Sequence, residues 1–219
     1  MTLSINSGTS TLNQYSREKQ AVALTSVGAA VLLTALKLTV GIWTGSLGIL
    51  SEAMHSGLDL VAAAITYISV RVSDKPADVE HPFGHGKIEH LSAFVETGLL
   101  IATCAWIVWE AVMRLFFREV HVEPSLWAFG VMFISITIDT FRSRALFRVA
   151  RKYNSQALEA DALHFSTDVY SSTVVILGLI LVYASEQRHL HWLQDADPAA
   201  ALVVAGIVVY ITLRLGKRT

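Results

Sequence analysis

Residues 47–72 read LGILSEAMHSGLDLVAAAITYISVRV. Glu52, His55 and Asp59 interrupt an otherwise apolar run, so hydropathy alone ranks the segment low. Its length nevertheless matches the roughly 20 residues that a helix needs to cross a bilayer. Counting it as a span decides the architecture. Working outward, five further segments qualify, at roughly 20–43, 88–117, 124–149, 155–185 and 197–215. The turn Trp43-Thr44-Gly45-Ser46 separates the first two. Pro124 and Pro198 suit the first helical turns of the fourth and sixth. The expected fold is an all-α integral membrane protein with six transmembrane helices.

Composition agrees. The chain has 219 residues, 53% hydrophobic and only 16% charged, with a mean hydropathy of +0.50. Soluble domains carry about 25% charged residues. The net charge of −1 gives no reason to expect a nucleic-acid partner. Cys104 is the one cysteine, which rules out an intrachain disulfide and a thiolate metal cluster. Residues 1–16 are polar and lack the order of a signal peptide. They read as a mobile cytoplasmic tail ahead of a transmembrane domain at 17–219. Lys and Arg orient that domain. Thirteen fall in one set of loops and three in the other. This places both termini in the cytoplasm, in a multi-pass arrangement that six spans satisfy. Lys37, inside the first span, reads as an interfacial residue whose amine snorkels to water.

The second and fifth spans share a pattern. EAMHSGLD at 52–59 and DALHFSTD at 161–168 both have the form acid-Ala-x-His-x-x-x-Asp. Charges within a bilayer are costly and mark functional sites. Residues four apart share a helix face, so His55 with Asp59, and His164 with Asp168, each form a pair. At about 1.5 Å per residue, each His lies roughly 13 Å inside its span. In a core about 30 Å thick both pairs reach the midplane, from opposite directions. Two imidazoles and two carboxylates suit a tetrahedral Zn2+, and imidazole fits less well with Mg2+ or Ca2+. Purely structural His–Asp pairing is the competing account, and duplication at matching depth weighs against it. Glu52 and Asp161 precede each His by three residues. They are expected either to line the access paths or to pair with neighbouring helices. Glu96 and Asp139 are read as structural, and the tryptophans as interfacial anchors.

The loop between spans two and three reads SDKPADVEHPFGHGKIEHL. Asp78, His81 and His85 could hold a second zinc. Together, HPFGHGK and the two HxxxD pairs resemble the cation diffusion facilitator family of metal/proton antiporters, over nearly all of 17–215. The resemblance implies a transport site at His55, Asp59, His164 and Asp168. It implies a cytoplasmic loop zinc site at Asp78, His81 and His85. His at position 55, where bacterial zinc transporters of the family often carry Asp, looks like the zinc-preferring version. Family members usually continue into a cytoplasmic metal-binding domain. This sequence resembles the class without one, so a homodimer would form through transmembrane helices, with span three a candidate. The implied activity is export of Zn2+ in exchange for protons across the inner (plasma) membrane, with the lipid bilayer as its surroundings. The alternatives are broader substrates (Mn2+, Fe2+, Co2+ or Cd2+), or a metal-binding or sensing subunit without transport. A zinc hydrolase is disfavoured: HExxH is absent and four protein ligands leave no position for water.

Overall fold

The computed structural model describes residues 5–116 and 126–188, and every regular element among them is a helix. They are α1 (Ile5–Thr44), α2 (Leu47–Ser73), α3 (Lys87–Phe116), α4 (Leu126–Tyr153) and α5 (Gln156–Arg188). These match the first five expected spans. The sixth, at 197–215, lies outside the described residues, as do Pro124, Pro198 and Trp192. Among the described residues two segments, Gln14–Thr44 and Ile49–Ser73, are long and apolar enough to cross a membrane by length and composition. The second is the segment whose polar residues had made it doubtful.

The chain divides into two compact units, and the division falls inside α3, α4 and α5. The first contains 5–96 and 141–163. Its base is the α1–α2 hairpin. Gly45 turns the chain at φ 67°, a left-handed conformation that glycine adopts without strain. Ser46 caps α2, its Oγ accepting from the Ile49 N–H at 3.4 Å. The two helices touch closely just before the turn. A Cβ on Gly41 would meet the Leu50 side chain at 2.9 Å and the Leu50 backbone nitrogen at 3.1 Å. Ala23, Ala30, Ala53, Ala62 and Ala63 are buried, and small residues of this kind let helix backbones approach. Thr34 Oγ1 donates across the hairpin to the Ser56 carbonyl at 2.9 Å.

The other end of this unit is held by Glu89, in the first turn of α3. Its carboxylate accepts from Lys19 of α1 at 3.1 Å, Ser73 of α2 at 3.0 Å and Ser155, just before α5, at 2.6 Å. Lys19 also pairs with Asp74. The α4–α5 turn places Asn154 at φ 50°, a conformation that Asn tolerates better than most residues. The Ser155 N–H closes α4 on the Ala150 carbonyl at 3.1 Å. Ser143 Oγ donates to the Ala162 carbonyl at 2.8 Å, which joins α4 to α5.

Two features differ from the sequence reading. The helix α1 begins at Ile5, so most of the segment read as a tail is helical. Tyr15, at its end, packs on Tyr153 with ring centroids 5.1 Å apart, and Glu18, just beyond it, accepts from Lys152 at 2.6 Å and from the Tyr153 hydroxyl. Polar composition suggested a tail, but its last residues have partners, Tyr15 on Tyr153 and Ser16 accepting from Gln20. Lys37 does not snorkel. It is 6% exposed, and its amine reaches across the hairpin to α2 rather than along α1 to water.

The second unit contains 97–116, 126–140 and 164–188. Leu100, Val131 and Phe165 are buried in it. Thr137, Thr140 and Thr173 return their hydroxyls to the carbonyls four residues earlier, at 2.8, 2.6 and 2.6 Å. This satisfies them within their own helices.

The Gly41 contact is testable. Gly41→Val forces a branched side chain onto the Leu50 backbone, and overpacking of this kind costs about 1–3 kcal/mol. The expected outcome is a lower midpoint of thermal unfolding in detergent, read by tryptophan fluorescence, with helix content retained. An unchanged midpoint would show that the hairpin does not close at this point.

Candidate metal centre

Helix geometry sets the first candidate pair. His55 is the ninth residue of α2 and Asp59 follows one turn later. The Nε2–Oδ1 separation is 4.0 Å, with side chains 35% and 13% exposed. His164 is likewise the ninth residue of α5, again with Asp168 one turn on. Here Nε2 and Oδ2 are 3.6 Å apart, and both side chains are largely buried. The His164 ring stands edge-on to Phe165 at 5.3 Å.

These distances discriminate between two uses of a His–Asp pair. A charge-assisted hydrogen bond draws the heavy atoms to about 2.7–2.9 Å. Two ligands about 2.1 Å from one tetrahedral zinc lie roughly 3.4 Å apart. Neither pair closes to hydrogen-bond distance, and each sets a ring nitrogen and a carboxylate oxygen on one helix face. His55 and Asp59 fall in the first unit, His164 and Asp168 in the second.

The α2–α3 loop forms a second cluster. Asp78 Oδ1 lies 3.1 Å from His81 Nδ1, and Asp78 Oδ2 lies 3.5 Å from His85 Nε2. The three ligand atoms all fall within 4.8 Å of one another. Gly84, at φ 78°, turns the chain, and its N–H bonds the His81 carbonyl at 3.0 Å. The two imidazoles come to 4.4 Å between centroids. The His81 backbone N–H donates to Asp78 Oδ1 at 2.6 Å. That bond is the main reason the Asp78 carboxyl is held below its usual range, with the two imidazoles acting in the same direction. His85 is buried, while Asp78 and His81 are exposed, so a metal here would be open to solvent on one side.

The two additional acids are both partnered. Glu52 Oε2 lies 3.2 Å from Lys37 Nζ. Asp161 is fully buried and accepts from Ser26 Oγ at 3.1 Å, while Arg142 Nε donates to the same Ser26 oxygen at 2.6 Å. Glu96, also buried, accepts from Thr66 and lies within electrostatic reach of Asp161 and Arg142. Sequence reasoning missed the roles of Lys37, Ser56, Ser26 and Glu89. For the hairpin a signal existed, because residues about equally distant from Gly45 face each other. Thr34 with Ser56 and Gly41 with Leu50 follow that register, as does Lys37 with Glu52.

The sequence also has relatives among known proteins. The family model described as the cation efflux transmembrane domain matches residues 23–219. A cation-efflux pump named FieF from Serratia proteamaculans is 30% identical over 208 residues, covering 93% of this chain and 65% of that protein. The magnetosome protein MamB of Paramagnetospirillum magneticum is 29% identical over 187 residues, covering 85% of this chain and 60% of that protein. An uncharacterized transporter of Methanocaldococcus jannaschii is 34% identical over 165 residues, covering 75% and 58%. The chain is a membrane protein of the cation diffusion facilitator family. It spans about three fifths of the length of the relatives it matches.

The loop geometry predicts a titration. Because the folded Asp78 pKa is lowered, its carboxylate supports the loop above the unfolded value and withdraws that support as pH falls through the folded one. Carboxyl-carbon NMR should give Asp78 a midpoint below about 3.9. A midpoint at or above that value would mean the His81 N–H is not bonded to it.

Proposed function

We propose that this protein exports Zn2+ from the cytoplasm in exchange for protons, by alternating access around His55, Asp59, His164 and Asp168. The observation that carries this reading is the repeated His–Asp pair. It recurs at the same position of two helices, with nitrogen–oxygen separations of 4.0 and 3.6 Å that a shared metal ion could bridge. Relatives that are named cation-efflux pumps support the transport class over an enzyme.

The chemistry follows from the donor set. Zinc binds neutral imidazole nitrogen and ionised carboxylate oxygen, so metal and protons compete for the same atoms. With the site open to the cytoplasm, zinc enters and protons leave the imidazoles. With the site open to the other side, protons return to the ring nitrogens or a carboxylate and zinc departs. Histidine suits this exchange because its charge changes near physiological pH. The plasma membrane is the expected location and a homodimer through the transmembrane helices the expected assembly. Exposed Leu91 and Phe94 on α3 are compatible with such a contact. The loop cluster Asp78, His81 and His85 is proposed as a second zinc site at the cytoplasmic face.

Two experiments test these assignments. In proteoliposomes with a zinc dye and a pH dye, zinc uptake should move protons the other way, and Asp168→Ala should reduce uptake to background. Zinc movement indifferent to the pH gradient would remove the exchange, and full activity in Asp168→Ala would remove the site. Competition by Mn2+, Fe2+, Co2+ and Cd2+ in the same assay, with His55→Asp alongside, measures selectivity. Binding without uptake would favour a sensing subunit. Separately, Asp78→Ala should lower the zinc stoichiometry measured by calorimetry by one ion per chain. An unchanged stoichiometry would leave the loop without a metal role.

A further inference from the structure

Glu96 is 2% exposed and lies well inside α3, where an ionisable side chain is costly. Its Oε1 accepts from the Thr66 hydroxyl of α2. Its Oε2, and the buried Ser92 hydroxyl one turn earlier on α3, have no hydrogen-bond partner among the described residues. The charged groups within electrostatic reach of Glu96 are Asp161 of α5 and Arg142 of α4. Both are buried, and Ser26 of α1 joins them. Its Oγ accepts from Arg142 Nε at 2.6 Å and donates to Asp161 Oδ2 at 3.1 Å. One guanidinium therefore stands near two carboxyls, and its hydrogen bond runs toward Asp161.

Glu89 shows the contrast. It accepts from the Lys19 ammonium at 3.1 Å, and that cation holds it ionised. Glu96 is bonded by a hydroxyl instead. A carboxyl buried without a paired cation is held in its neutral, protonated form. Residues four apart share a helix face, so Ser92 stands beside Glu96 along α3. A hydroxyl both donates and accepts. Thr66 and Ser92 can satisfy a carboxylate by donating and a carboxylic acid by accepting, with only a hydroxyl rotation between the two. The proton can therefore leave and return without repacking. We propose that Glu96 is a proton-binding site of the transport cycle, occupied by its proton in this conformation and separate from the His–Asp ligands. The O–H bond of the acid breaks to give a proton to water, and re-forms by taking one from water. Such a proton moves with the cycle without competing with zinc for the same atoms. The inference rests on the reading of the protein as a zinc/proton exchanger.

The test is the number of protons moved per zinc in proteoliposomes, with Glu96→Gln beside the wild type. The amide keeps the shape of the neutral acid but cannot release a proton. Zinc uptake should continue with one proton fewer per ion. Glu96→Asp keeps a titratable group and should retain the wild-type ratio. In infrared spectra at neutral pH, the wild type should show a protonated-carboxyl C=O stretch that Glu96→Gln lacks and Glu96→Asp shifts. An unchanged proton ratio in Glu96→Gln overturns the proposal and leaves Glu96 as a helix tie. A ratio reduced equally in Glu96→Asp also overturns it, because the loss then comes from packing and not from titration. Should Glu96→Gln not fold, the wild type and Glu96→Asp decide alone: a carboxyl band that is absent, or that does not shift between them, overturns the proposal. The wild-type ratio separates the two levels. If the wild type moves zinc without protons, the exchange reading has failed and this inference with it. If the wild type exchanges protons and Glu96→Gln moves as many, only this inference has failed.

Discussion

A charge inside an apolar helix must be neutralised by the protein itself, and the first unit is organised around that requirement. In lipid, apolar side chains gain little by touching one another rather than acyl chains. Polar contacts and close packing therefore decide which helix lies against which. Glu89 gathers donors from α1, α2 and the start of α5 onto α3. Lys37 ties α1 to α2. Asp161, Ser26 and Arg142 join α5, α1 and α4. Thr66 and Glu96 join α2 to α3. Each contact satisfies a group that would be destabilising alone, and each fixes a helix register while doing so.

Against that background the two His–Asp pairs are unusual. The structural pairs close to hydrogen-bond or ion-pair distance, as between Glu89 and Ser155 at 2.6 Å. Within each helix the His–Asp pairs stand at 4.0 and 3.6 Å. Membership of a cation efflux family gives the same arrangement a biological context.

Much of this was legible beforehand. The segment 47–72 became α2 at Leu47–Ser73, because Gly45 and Ser46 supply both a turn and a cap. The segment 88–117 became α3 at Lys87–Phe116. The fourth helix runs beyond 149 to Tyr153, since Ala150, Arg151 and Lys152 are good helix formers and the stop signal is Asn154. The first helix extends back to Ile5, through residues whose polar composition did not suggest it. Glu18 and Tyr15 are helical where Lys152, Tyr153 and the α4 terminus receive them.

By itself the sequence determined which residues share a helix face. The i, i+4 relation is fixed by backbone geometry and needs no neighbour, so the two His–Asp pairs and the stripe from Glu52 to Asp59 could be read directly. Only the tertiary structure decided which charges meet across helices. The Lys37 side chain is long enough to reach either water or α2. Its choice of Glu52 and Ser56 depends on the register of one helix against another. That register is set jointly by the turn at Gly45, the close approach at Gly41 and the Thr34–Ser56 bond, none of which is a property of Lys37 or its sequence neighbours.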